Sequence, residues 1–250
     1  MKIAVITGAS SGLGREFARA VLERYSQLDQ VWVLARRTER LETLAAEYPT
    51  GKVRPVKMNL TCDGDYELFA ELLKQEAPEI EIVINNAGFE KGGALKDTEE
   101  TLLLNMIRVN VQGGTLIPRL CLPYMKQGSF LITTSSVSSF VPMKNQAVYS
   151  ASKSYLLYLG RALGMELKPQ GIHSLVICPG NMETEMNVRD GDHPGKVGLL
   201  PYLDIEKLTR KALEKAEKGT SVYTPGSFYK VYRFFSKLLP HRLMMKITAL

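Results

Sequence analysis

The sequence predicts an α/β fold, a doubly wound parallel sheet of about seven strands with helices on both faces. Three observations predict it. Short, continuously apolar runs recur along the chain, as strands buried on both faces require. Amphipathic stretches of helix length separate them. A glycine cluster, TGASSGLG, stands between the first run and the first such stretch, where a strand must turn sharply into a helix.

The elements follow in order. Lys2–Ile6 (KIAVI) is a strand and Gly12–Tyr25 a helix; Gln30–Leu34 (QVWVL) is a strand and Thr38–Glu47 a helix. Val53–Val56 is a strand and Asp65–Glu76 a helix, and Ile80–Ile84 (IEIVI) leads into one long helix over Thr98–Met125. Ser129–Thr133 precedes a second long helix, Ala147–Leu167; His173–Cys178 is a strand, Ile205–Lys218 a helix and Ser221–Tyr223 a last short strand. With no internal repeat, low-complexity segment or linker, residues 1–224 read as one domain and residues 225–250 as a basic, amphipathic helical tail.

Composition narrows the function classes. At 45% hydrophobic and 23% charged, the 250 residues describe a globular chain able to bury a full core without disulfides or a structural metal. Cys62, Cys121 and Cys178 lie far apart with no CxxC pair, which argues against zinc or a disulfide framework and for a reducing, cytoplasmic setting. The opening MKIAVITGASSG is too short an apolar run for a signal peptide or membrane span. Five of the six net positive charges fall in residues 225–250, so the body is nearly neutral and offers no nucleic-acid surface.

Glycines at 8, 12 and 14 allow the backbone to approach a pyrophosphate, with Ser10, Ser11 and Leu13 in the same turn and the N–H groups of the helix start facing the anion. No GxxxxGK[ST] occurs, which excludes a P-loop. Arg36 and Arg37 end the second strand where the adenosine ribose would lie. Arginine there suits the 2′-phosphate of NADP, and the first acid, Glu39, falls inside the next helix, so NADP is preferred over NAD.

Tyr149 and Lys153 stand four apart in YSASK, on one helix face. A tyrosine of pKa about 10 is a poor acid or base at neutral pH, and a neighbouring ammonium stabilises its phenolate. Ser136 precedes Tyr149 by thirteen residues, Asn85-Asn86-Ala87-Gly88 follows strand four, Asn110 lies in the long helix, and Pro179-Gly180 with Thr184 follows strand six. TGxxxGxG, NNAG, the helical Asn, Ser, YxxxK and PGxxxT, in this order and spacing, resemble the short-chain dehydrogenase/reductase family over residues 7–184.

The resemblance implies a Rossmann-like fold and a hydride transfer between NADP(H) and a carbonyl or alcohol. It implies that Gly8, Gly12 and Gly14 bind phosphate, that Asn86, Ala87 and Gly88 shape the sheet crevice beside the ribose, and that Pro179, Gly180, Met182 and Thr184 border the nicotinamide. It makes Tyr149 the proton donor or base, Lys153 the group that binds the nicotinamide ribose and lowers the Tyr149 pKa, Ser136 the partner of the substrate oxygen and Asn110 the holder of a relay water. Among the crowded serines, the thirteen-residue offset favours Ser136, with Ser138 as the alternative. The family often carries an acid after strand three; here the run is MNLT, so Asn59, beside Leu60, takes that place with the charge lost. A homodimer or homotetramer is expected through helices 98–125 and 147–167. The rival activities are a 3-oxoacyl-acyl-carrier-protein reductase and a catalytically silent NADP-binding sensor or scaffold.

The resemblance implies that substrate specificity resides in two segments, both apolar here, which suits a hydrophobic ketone or aldehyde: Phe140, Val141, Pro142 and Met143, and then Met182, Met186, Val188, Leu199, Leu200 and Tyr202. Lys144 and Arg189 could each add one charge. In the tail, Phe228, Tyr232, Phe235 and Leu239 recur at helical spacing, Lys230, Arg233 and Lys237 fall between them, and Pro240 divides two short helices. A helix folded over the cleft or a subunit interface is preferred to contact with a membrane surface, because so many apolar residues require a cover.

Overall fold

The computed structural model describes residues 1–184 and 201–248. Strands β1 (Lys2–Thr7), β2 (Gln30–Ala35) and β3 (Val53–Lys57) alternate with helices α1 (Gly12–Arg24), α2 (Thr38–Ala46) and α3 (Asp63–Glu76). Then come β4 (Glu79–Asn85), α4 (Glu100–Ile107), α5 (Gly114–Cys121), β5 (Met125–Thr134), α6 (Ala147–Leu167) and β6 (His173–Ile177). The chain ends with α7 (Ile205–Glu217), β7 (Val222–Tyr223), α8 (Ser227–Leu238) and α9 (His241–Thr248).

The sheet is parallel throughout, in the order β3-β2-β1-β4-β5-β6-β7. Strand pleat decides the layering, because successive side chains point to opposite faces. Ala4, Ile6, Val31, Val33, Ile82 and Ile84 pack with Phe17 and Val21 of α1, Leu41 and Leu44 of α2, and Leu208, Ala212 and Leu213 of α7. Ile3, Val5, Trp32, Leu34, Ile80 and Val83 face the other way, onto Tyr66, Phe69 and Leu73 of α3, Ile117 and Cys121 of α5, and Leu167 of α6. Both faces being covered, the strands are apolar on both sides, which is why they read as unbroken runs. The chain winds outward from β1 to β3 and then returns to β4 on the other side of β1. That reversal splays the connections apart and opens a crevice at the carboxyl ends of β1 and β4.

The long helix expected over Thr98–Met125 is broken. Between α4 and α5, Arg108–Gly113 forms a π turn, Leu122–Tyr124 is 3-10, and Met125 already pairs with Ile80 as the start of β5. Apolar residues continue at helix-like spacing across the break, so periodicity does not reveal the extra residue that a π turn inserts. Close packing explains the turn's position. A Cβ on Gly114 would lie 2.4 Å from Leu156 Cδ2 and one on Gly113 3.0 Å from Leu60 Cδ1, so backbone sits directly on both side chains. Asn110 therefore lies in the π turn rather than in a regular helix. Helix α3 starts at Asp63, two residues earlier than expected, and Pro240 separates α8 from α9 as expected.

Candidate active site

Residues distant in sequence converge on the crevice because each follows the carboxyl end of a strand. A cavity of about 530 Å³ is lined by Gly8, Ser10, Ser11 and Leu13 after β1, Arg36 and Arg37 after β2, and Asn59 and Leu60 after β3. Asn86, Ala87 and Gly88 after β4, Ser136 after β5, Tyr149 and Lys153 of α6, and Pro179, Gly180, Met182 and Thr184 after β6 complete the predicted set along its walls. Gly12, Gly14 and Asn110 stand behind the wall and shape it.

The glycine turn is a close approach of backbone to backbone. Gly8 has φ +71°, and a Cβ there would lie 2.9 Å from Ala87 Cα. A Cβ on Gly14 would lie 2.3 Å from the Gly8 carbonyl oxygen, so α1 is drawn onto the end of β1. The N-terminus of α1 then points into the crevice with its unpaired N–H groups, a cradle for a pyrophosphate that any side chain would fill. Arg37 donates from Nη2 to Ser10 Oγ (3.2 Å) and Ser11 Oγ (3.0 Å), which holds its guanidinium at the rim of this cradle. Arg36 beside it is exposed. The donor set fits a dinucleotide cofactor.

Asn86 ties three strands together. Its backbone N–H donates to Thr7 Oγ1 (3.0 Å), its Nδ2 to Thr7 O (3.3 Å), and its Oδ1 accepts from Thr134 Oγ1 (3.2 Å). Asn59 is turned inward on its own loop, where Oδ1 accepts from Thr61 N (3.2 Å) and Thr61 Oγ1 (2.9 Å). The amide oxygen thus closes an Asx turn, and the carboxylate nearest this loop is Asp65, which accepts from Asn59 N at 2.6 Å.

Tyr149 and Lys153 are both buried on the crevice side of α6. Lys153 Nζ lies 5.7 Å from the Tyr149 ring centroid and donates to Thr134 O (3.1 Å). A Cβ on Gly88 would lie 3.2 Å from that Nζ, a tight approach that glycine relieves. Burial raises the Tyr149 pKa above its ordinary value, Glu90 pushes the same way, and the Ser136 and Ser138 hydroxyls pull it back. Burial lowers Lys153 to about 8, against the pull of the Glu90 carboxylate and Cys178. The other serines are committed elsewhere, Ser135 Oγ to Lys153 O (2.7 Å) and Ser139 Oγ to Ser136 O (2.5 Å). Only Ser136 and Ser138 are left facing the phenol.

The buried ammonium has a measurable cost. The folded chain holds this proton less tightly than the unfolded chain, so stability rises with pH from about 8 to 10.5, and below about 8 the full penalty applies. Lys153→Met is expected to stabilise the protein at pH 7 by about 1 to 3 kcal/mol, with the gain shrinking toward pH 10. Thermal melts at both pH values check it. A lower midpoint at pH 7 would mean that the bond to Thr134 outweighs burial.

Asn110 is fully buried and clamps the loop after β4. Its Nδ2 donates to Phe89 O and Ser152 Oγ, its Oδ1 accepts from Phe89 N, all at 2.9 Å, and Ser152 Oγ in turn donates to Tyr149 O (2.7 Å). This network joins the π turn to the backbone of Tyr149. Sequence reasoning missed Glu90 and Gln146, which line the cavity joined by a 2.8 Å hydrogen bond. Glu90 stands two residues beyond NNAG, a proximity that could have signalled it.

The expected substrate pocket is redistributed. Met143 and Met182 line the cavity, whereas Val141 belongs to the core and Phe140 packs against Tyr232 of α8. Lys144 is exposed and does not line it. Met186, Val188, Arg189, Leu199 and Leu200 lie outside the described residues. Tyr229, not singled out from sequence, is 2% exposed and lies where a Cβ on Gly180 would sit, at 2.0 Å from its ring. Its hydroxyl accepts from Asn181 N (3.0 Å) and donates to Pro201 O (2.7 Å).

Comparison with known proteins agrees with this geometry. The chain matches the sequence model for short chain dehydrogenases over residues 2–194. It is 30% identical over 231 residues to a short chain dehydrogenase of Pseudocercospora fijiensis, covering 90% of this chain and 72% of that one. It is also 30% identical over 201 residues to the 2-(R)-hydroxypropyl-CoM dehydrogenase of Xanthobacter autotrophicus, covering 77% and 79%. A short-chain dehydrogenase from Sphingobium yanoikuyae, solved in complex with NADPH, superposes with a TM-score of 0.79 at 26% identity, covering 98% of this chain and 95% of that one. Sequence, relatives and architecture agree over almost the whole length, and the chain belongs to the short-chain dehydrogenase family of oxidoreductases, which interconvert CH–OH and C=O.

Proposed function

We propose that this enzyme reduces a hydrophobic ketone or aldehyde with NADPH in preference to NADH. The observation that carries the cofactor choice is Arg37, held by Ser10 and Ser11 at the edge of the α1 cradle with exposed Arg36 beside it. Two cations and two hydroxyls meet where a 2′-phosphate would lie, and the described residues lining the cavity bring no carboxylate to that corner. NADPH supplies the hydride when bound. Tyr149 gives its proton to the carbonyl oxygen, and the Ser136 hydroxyl donates to the same oxygen as negative charge grows there. Lys153 stabilises the phenolate that Tyr149 becomes and restores its proton. Asn110, through Ser152, holds the helix turn that carries Tyr149. Met143 and Met182 give the substrate side an apolar lining, which supports an apolar carbonyl. The active unit is a homodimer or homotetramer; Leu104 and Ile107 of α4 and Tyr155, Tyr158 and Met165 of α6 are exposed on the helices expected to meet.

The test is separate titration with NADPH and NADH, followed by apolar ketones and aldehydes monitored by cofactor absorbance. Arg37→Ala is expected to raise the KM for NADPH roughly 10- to 100-fold and leave that for NADH within about two-fold, the loss of one or two charge-assisted hydrogen bonds. Equal losses for both cofactors would assign Arg37 to the turn alone.

A further inference from the structure

Helix α8 is docked on one face only. Tyr229 seals it onto Gly180, and Tyr232 meets Phe140. The opposite face carries Val231, Phe234 and Leu238, with Phe228 and Phe235 on its flank, all exposed, Phe234 at 59% and Leu238 at 64%. The tail thus packs behind Gly180 and Phe140 without lining the crevice, and its most apolar side is left uncovered. Beside that side, between α8 and β7, lies a second cavity of about 330 Å³. Lys215, Lys230, Arg233 and Lys237 line it with Phe234 and Tyr223, and no acidic residue does so among the described residues.

We propose that α8 and this cavity dock the enzyme on the surface of a bilayer containing anionic phospholipid, with phosphate headgroups among Lys215, Lys230, Arg233 and Lys237 and with Phe234, Phe235 and Leu238 in the acyl boundary. Two independent features point to one occupant. The cations select a phosphate-bearing partner, and the adjoining aromatic and aliphatic side chains select one that is apolar beneath its charged layer; a lipid interface has both. No helix among the described residues is long and apolar enough to cross a membrane, so the contact is with a surface. A second copy of the chain fits less well, because residues 225–250 carry five cations and no acid, and two such tails would repel each other. The docking stands apart from the identity of the substrate.

The experiment is flotation of the full-length chain with phosphatidylcholine vesicles and with vesicles of phosphatidylcholine plus phosphatidylserine. NADPH binding serves as the readout of folding for every variant, and light scattering as the readout of mass. The chain is expected to float with the anionic vesicles, to stay behind with the neutral ones, and to be released as salt rises. The pair K230Q/K237Q is expected to lower partitioning roughly 25-fold, about five-fold per lysine. The pair F234S/L238S, both exposed side chains, is expected to lower it roughly 30-fold. Equal flotation on neutral vesicles, flotation unchanged in F234S/L238S, or no flotation would each overturn the proposal. So would a loss of oligomer mass in F234S/L238S without vesicle binding by the parent chain, which would assign the face to a second copy. Protection of the lysines by inorganic phosphate with no vesicle binding would assign the cavity to a free anion.

Discussion

Tyr149→Phe is expected to lower kcat for carbonyl reduction by about 10²- to 10⁴-fold, the usual contribution of a positioned general acid, with NADPH affinity unchanged within about three-fold. The substitution removes one hydroxyl and leaves the buried ring in place, so packing is kept. The phenol is surrounded by groups that hold its proton in different ways. Burial and Glu90 favour the neutral form, and Ser136 and Ser138 favour the anion. An acid held protonated until charge develops beside it suits reduction. In the same assays, Ser136→Ala is the smaller loss, because Ser138 faces the phenol from the next turn. Single-turnover rates with saturating NADPH separate the two readings. A Tyr149→Phe variant that retained more than about a tenth of the rate would move the proton donor elsewhere.

Gly14→Ala is expected to cost about 3 kcal/mol of stability and to weaken NADPH binding at the same time. The new methyl would meet the Gly8 carbonyl oxygen at 2.3 Å and Asn86 Nδ2 at 2.6 Å, both parts of a rigid frame. Relief requires α1 to move off β1, which takes the anion cradle with it. Gly64→Ala in α3 is the matched control, since a Cβ there meets nothing within 4 Å and alanine favours a helix. Urea unfolding of the two variants, with and without NADPH, gives both numbers. Equal stability of the two would mean that the α1 turn yields more readily than its packing indicates.

Much of this architecture was legible in the sequence because burial on both faces leaves a mark that needs no partner information. KIAVI, QVWVL and IEIVI are strands in any register. The crevice was legible because glycines at 8, 12 and 14 and the Tyr149–Lys153 spacing are demanded locally, by backbone approach and by one helix face. The break between α4 and α5 was not legible. It depends on Leu60 and Leu156 pressing on Gly113 and Gly114, a contact made across the fold. The local role of Asn59 was hidden for a related reason: its place beside the cavity follows from the end of β3, but the bonds of its amide oxygen to Thr61 depend on the shape of the loop. Glu90 was overlooked because only its proximity to NNAG signals it, and its entry into the cavity depends on the direction of the loop after β4. The tail was half read. Its amphipathy was plain, but the division of labour between Tyr229, which docks, and Phe234, which does not, is decided by the shape of the surface it meets.

The position of β1 between β2 and β4 gives the nascent chain a particular history. The strands on one side of it, β2 and β3, leave the ribosome immediately after β1 and can pair at once, so the half that carries the glycine turn and Arg37 forms early. The other edge of β1 pairs Lys2 with Glu79 and must wait for β4, exposing an open, apolar strand edge through that interval. Tyr229, which braces Gly180, follows every strand of the sheet in the chain. The two halves of the sheet thus differ in when they can close: the half around the glycine turn rests on contacts between segments near one another in the chain, whereas the wall at Gly180 is braced only once α8 has followed.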